Sequence, residues 1–161
     1  MLLGALAVPT ASAQGETRLS AGAGEAEITS PVGAPLLGSL VASTGVHDPL
    51  WARALVVGGG RERAAIACLD LVGIDIPLAD EIRSRVRLRT GIAVILLNCS
   101  HTHWAPFTIP WSVQGPRWVT QEGQAWRRQL VATVTEVVAG MIEAASHGKP
   151  GSSSRSIGNF D

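Results

Sequence analysis

No nucleophile signature appears in this sequence: it has no Gly-x-Ser-x-Gly elbow, no Cys-x-x-Cys pair and no His-Glu-x-x-His helix. The chemistry those spacings support is therefore excluded as a starting point. Net charge is lacking too. Thirteen basic residues balance thirteen acidic ones, which removes the electrostatic grounds for nucleic acid or an anionic membrane as a partner. No apolar run approaches the roughly 18 residues of a membrane span. What the 161 residues do contain is 46% apolar side chains, enough to fold one domain around a reasonable core.

Met1 to Val8 is an apolar run of signal-peptide length, and Ala11-Ser12-Ala13 is a small-x-small cleavage pattern. Residues 1–13 are therefore expected to be a signal peptide, one without the usual basic start, and the chain to be exported to the periplasm or beyond. A first short strand is expected at Glu25 to Thr29, ended by Ser30-Pro31-Val32-Gly33-Ala34-Pro35. Leu36 to Gly45 reads as a loop. Trp51 to Val57 and Ala64 to Leu71 form a hairpin signal with a turn at Gly58-Gly59-Gly60-Arg61-Glu62. The glycine triplet joins two strands and lacks a following Lys-Ser/Thr, so it is a turn and not a phosphate loop.

Pro77 opens a helix in which Leu78, Ile82 and Val86 form one stripe, with Asp80 and Glu81 near its positive end. Arg83, Arg85, Arg87 and Arg89 belong to its solvated face. Thr90-Gly91 stops it, and a strand from Val94 follows; this strand–helix–strand order implies a crossover and a parallel pair. Phe107 to Gln121, with Trp111 and Trp118, is an irregular loop of a length often used for lids. A second helix runs from about Glu122 to Ser146, with Trp126, Leu130, Val134, Val137, Val138 and Met141 on its apolar face.

The expected fold is α/β: a mixed sheet with a β-hairpin, a βαβ crossover and helices packed on it. About four strands and two helices leave an uncovered sheet edge, through which the chain can associate. Residues 22–150 thus read as an incomplete N-terminal portion of a larger α/β domain, and 151–161 as a polar tail or the start of a further strand.

The candidate chemistry lies at the end of the strand Val94-Ile95-Leu96-Leu97-Asn98-Cys99, which runs into Ser100-His101-Thr102-His103-Trp104-Ala105-Pro106. If the strand stays extended, His101 and His103 share a face, at the carboxyl end where open α/β sheets bind ligands. Two imidazoles there can hold a metal together, or divide into a ligand and an acid/base group. Two ligands alone do not complete a zinc site. Cys99 has the same parity and is a conceivable thiolate ligand. Cys68 and Cys99 both fall in strands, as buried thiols or as a pair if those strands are neighbours. His47, before the hairpin, is either a loop residue or part of the site wall. Asp70 ends an apolar strand and needs a partner: it either orients a histidine from behind or pairs with Arg53 across the hairpin. Trp104 and Trp111 can wall the site or simply pack, and His147 suits a helix C-terminus.

Ala26-Glu27-Ile28-Thr29-Ser30-Pro31-Val32-Gly33 resembles the opening strand and loop of the neutral/alkaline non-lysosomal ceramidase family and its bacterial relatives. So do Thr44-Gly45-Val46-His47-Asp48-Pro49-Leu50-Trp51-Ala52-Arg53-Ala54-Leu55, the strand ending in Asp70, and Asp80-Glu81-Ile82. The His-Thr-His-x-x-Pro block at 101–106 resembles that family's most diagnostic motif, and the resemblance runs over most of residues 22–147. It implies a zinc ion held by two histidines, a glutamate and a tyrosine, with a zinc-bound water that hydrolyses the amide of ceramide. His101 would then be a zinc ligand, and His103 the group beside it that steadies substrate or transition state. The implied substrate is a lipid-like or small amide. Trp104 departs from the serine usual there. The remaining ligands have no counterpart in this sequence, which contains no tyrosine. The expectation is an N-terminal portion of a zinc-dependent amide hydrolase, inactive alone; the alternative is an exported, non-catalytic ligand-binding or structural α/β protein.

Overall fold

A computed structural model describes residues 19–36, 41–59, 61–106, 108 and 121–146. The expected signal peptide, Trp111 and Trp118, His147 and the tail 151–161 lie outside the described residues. Four strands, β1 (Leu19–Glu27), β2 (Trp51–Gly59), β3 (Glu62–Leu69) and β4 (Val94–Cys99), form one sheet in the order β1-β2-β3-β4. β1–β2 and β2–β3 are antiparallel, and β3–β4 is parallel. The sheet is mixed, as expected, with the hairpin at β2–β3 and helix α1 (Ile76–Thr90) carrying the crossover to β4.

β1 starts well before the expected Glu25. Its first residues are serine, alanine and glycine, which hold a strand poorly by themselves. Continuous pairing with β2, from Leu19 opposite Gly59 to Glu27 opposite Trp51, recruits them.

One face of the sheet carries the core. Its registered rows are Gly22–Val56–Ala65–Ile95, Gly24–Ala54–Ala67–Leu97 and Ala26–Ala52–Leu69–Cys99. Over β1 and β2 these rows are nearly all small, so helix α2 (Gln121–Ser146) lies close above them. Gly24 shows how close: an added Cβ there would sit 2.5 Å from the Met141 Cε. Trp126, Leu130, Val134, Val137, Val138 and Met141 are buried along α2, as the apolar spacing predicts. The Trp126 indole also donates to the Ile28 carbonyl at 3.1 Å, fixing α2 to the end of β1.

Helix α1 packs beside α2 and buries Leu78, Ala79, Ile82 and Val86. Its N-cap is Asp75, whose carboxylate accepts from the Leu78 N–H at 2.9 Å. Pro77 lies in the first turn, and left-handed Gly91 (φ 77°) closes the last one. The first turn contains no acidic residue; the negative charge at that end comes from Asp75, while Asp80 pairs with Arg83 at 3.3 Å. Arg83, Arg85, Arg87 and Arg89 are exposed, as read from the sequence.

β3 and β4 are neighbours, yet Cys68 and Cys99 are both free thiols. Alternation is the reason. Cys99 packs against the core, whereas Cys68 belongs to the opposite face and contacts Asn98.

Candidate metal and substrate site at His101 and His103

Because β3 and β4 run parallel, their carboxyl ends open on the same edge of the sheet, the edge where ligands bind in such folds. The chain leaving β4 is bonded there to the chain leaving β3. Ser100 N–H donates to the Leu69 carbonyl and His101 N–H to the Leu71 carbonyl, both at 3.0 Å. Farther on, the buried Thr108 hydroxyl donates to the Gly73 carbonyl. Ala105 and Pro106 are buried between these anchors, with Pro106 bridged to Leu36.

β4 ends at Cys99, so the extended path assumed from the sequence does not reach the histidines. His101 instead adopts φ 65°, in the left-handed region that costs a non-glycine residue of order 1 kcal/mol or more. This turn still brings the rings together: their centroids are 5.2 Å apart with planes at 68°, an edge-on arrangement. Both residues are exposed, and Trp104 beside them is 69% exposed.

The His101 Nδ1 lies 3.0 Å from the Val72 carbonyl oxygen. A carbonyl only accepts, so Nδ1 carries the proton of the neutral ring and Nε2 is left with its lone pair. Histidines that bind metals are commonly fixed in this way, the rear nitrogen donating to an oxygen and the front one facing the ion. The donor chemistry of His101 and His103 thus fits zinc, as two imidazoles. Among the described residues, no group of three or more His, Cys, Asp or Glu side chains could hold a metal.

The other candidates lie apart from this pair in their contacts. Asp70 accepts from the Trp51 N–H and from Arg53, both at 3.0 Å, and Arg53 also donates to Glu25 at 3.1 Å. Of the two roles open to Asp70, the pairing with Arg53 is the one its contacts carry; the group behind His101 is the Val72 carbonyl. His47 bonds Asp48 at 2.7 Å with almost its whole side chain exposed. The Cys99 thiol is pushed up to about 11, first by burial and then by the nearby Cys68, which disfavours the thiolate a metal would need. Val72 and Thr108 were not legible as site residues: a main-chain acceptor has no side-chain signature, and a lone threonine has no distinctive spacing.

Two solved structures share this architecture. A ceramidase complexed with C2 superposes with a TM-score of 0.62 at 21% sequence identity. The neutral ceramidase from Pseudomonas aeruginosa gives 0.53 at 18%. Each match covers 82% of this chain and 22% of the solved one. The fold is that of one part of a ceramidase. At these identities the ceramidase likeness is one of fold, and the chain spans about a fifth of the length of the ceramidases it matches. No protein-family sequence profile matches the chain, and no curated protein sequence does.

Proposed function

We propose that this chain is part of a ceramidase-type zinc-dependent amide hydrolase, with His101 as a zinc ligand through Nε2. The single observation that carries this reading is the His101 Nδ1–Val72 contact, in a left-handed turn at the carboxyl ends of β3 and β4 of a ceramidase-like fold. A side chain needed only for packing would not require a strained backbone and a committed tautomer at an exposed edge.

His103, edge-on to His101, stands beside the position of the scissile carbonyl and donates to the oxygen that gains charge in the transition state. Trp104 offers an exposed apolar wall to the lipid-like part of an N-acylsphingosine or a related amide. When bound, zinc supplies an acidified water and polarises the amide carbonyl. In this proposal the remaining ligands come from polypeptide corresponding to the rest of the ceramidase fold, so the 161 residues alone do not turn over amides.

Zinc titration calorimetry on wild type, His101→Ala and His103→Ala tests the assignment. Wild type is expected to bind weakly, on the order of micromolar or poorer, because one imidazole leaves most of the shell to water. His101→Ala should abolish this binding. Identical isotherms for wild type and His101→Ala would remove His101 from the metal site.

A further inference from the structure

Three successive carbonyls between β3 and α1 accept hydrogen bonds from the chain that leaves β4. Leu71 takes the His101 N–H at 3.0 Å, Val72 the His101 Nδ1 at 3.0 Å, and Gly73 the buried Thr108 hydroxyl. In an extended chain successive carbonyls point to opposite sides, so residues 71–73 are bent. Their own preferences do not sustain the bend. Val72 is β-branched and favours extended backbone, and Gly73 has no Cβ to restrict it. The bend is therefore held by its three bonds. Two of these come from His101 itself, so neither fixes the Val72 carbonyl independently of the ring that the carbonyl aims. The bond from Thr108 does.

We propose that Thr108 is a positioning residue for His101: by holding the Gly73 carbonyl it keeps residues 71–73 bent, the Val72 carbonyl behind Nδ1, and Nε2 free of a proton. Thr108 is fully buried, so water does not readily take over from its hydroxyl. Without that hydroxyl the Gly73 carbonyl loses its donor. Rotation at Gly73 relieves this, residues 71–73 relax toward the extended form, and the Val72 carbonyl swings away from the ring. The imidazole then divides between its two neutral tautomers, of which only the one protonated at Nδ1 presents a lone pair at Nε2. This purpose rests on the reading of His101 as a zinc ligand, whereas the bend and the tautomer are properties of the metal-free chain.

The test is the tautomer of His101 in the zinc-free, nitrogen-15-labelled 161-residue chain, read from long-range proton–nitrogen NMR spectra in mildly alkaline buffer. Wild type and Thr108→Ser, which keeps the hydroxyl, are expected to share one pattern, a protonated Nδ1 and a bare Nε2. Thr108→Val matches threonine in shape but lacks the hydroxyl. It is expected to show nitrogen shifts averaged over both tautomers, with a dispersed amide spectrum reporting that the chain is folded. Thr108→Ala is the second hydroxyl-free variant if valine does not fold. A folded hydroxyl-free variant with the wild-type pattern would overturn the proposal, as would a proton on Nε2 in wild type or averaged shifts in Thr108→Ser. Unfolding of both hydroxyl-free variants would assign the hydroxyl to the fold as a whole and overturn it too. Zinc titration of the same variants separates this proposal from the ligand reading. Binding about tenfold weaker than wild type is expected in Thr108→Val; unchanged binding despite mixed tautomers would contradict the ligand reading alone.

Discussion

At His101 a strained backbone and a useful ring coincide, and substitution separates the two. His101→Ala keeps the left-handed turn (φ 65°) and loses the hydrogen bond to Val72. His101→Gly loses the same bond but relieves the turn, because glycine adopts positive φ without steric cost. The glycine variant is therefore expected to be more stable than the alanine variant by about 1 kcal/mol in urea denaturation, although neither has a ring. A glycine variant less stable than alanine would mean that the turn stores no strain. The cysteines make a second residue-scale contrast. With its thiol at about 11, raised by burial and by Cys68, Cys99 stays protonated through the mildly alkaline range. Iodoacetamide labelling at pH 8.5 should mark Cys68 well before Cys99, as read by peptide mass mapping; equal rates would contradict the burial of Cys99. The sign for stability follows. A thiol whose pKa is raised on folding contributes stability below its unfolded pKa and loses it as pH climbs through the folded value, so this contribution fades between about 9 and about 11.

Asp75 joins the two helices: it caps α1 at the Leu78 N–H and lies 3.5 Å from Arg127 of α2, with both side chains largely buried. Asp75→Ala removes the cap and the ion pair together, and should cost about 2 kcal/mol in thermal or urea melts. Asp75→Asn keeps a good capping oxygen, so its smaller loss measures the charge on Arg127. Equal losses would mean that the cap contributes nothing. At this scale much was legible in the sequence. The hairpin showed in its apolar runs and glycine turn, α1 in its proline start and glycine stop, and α2 in a stripe from Trp126 to Met141. β1 was legible only in part, because Ser20 to Gly24 become a strand through pairing with β2 rather than through their own preference. The site was half legible. Spacing singled out His101 and His103, but by an extended geometry that β4 does not sustain. The carbonyl of Val72 that aims the ring could not be read, because any residue supplies a carbonyl.

Taken together, the described residues form a four-stranded sheet with helices on one face, an apolar second face, and two histidines at the edge where parallel strands end. These features belong to one arrangement if the chain is a portion of a ceramidase-type enzyme: His101 holds a metal with ligands from the rest of that fold, and His103 stands beside it. X-ray absorption spectroscopy of the zinc-loaded 161-residue chain tests that claim most directly, since it reads the donor atoms themselves. One imidazole nitrogen at about 2.0 Å with water oxygens filling the shell is expected, and it is lost in His101→Ala. A zinc–sulfur shell at about 2.3 Å, or an imidazole count unchanged by His101→Ala, would contradict it.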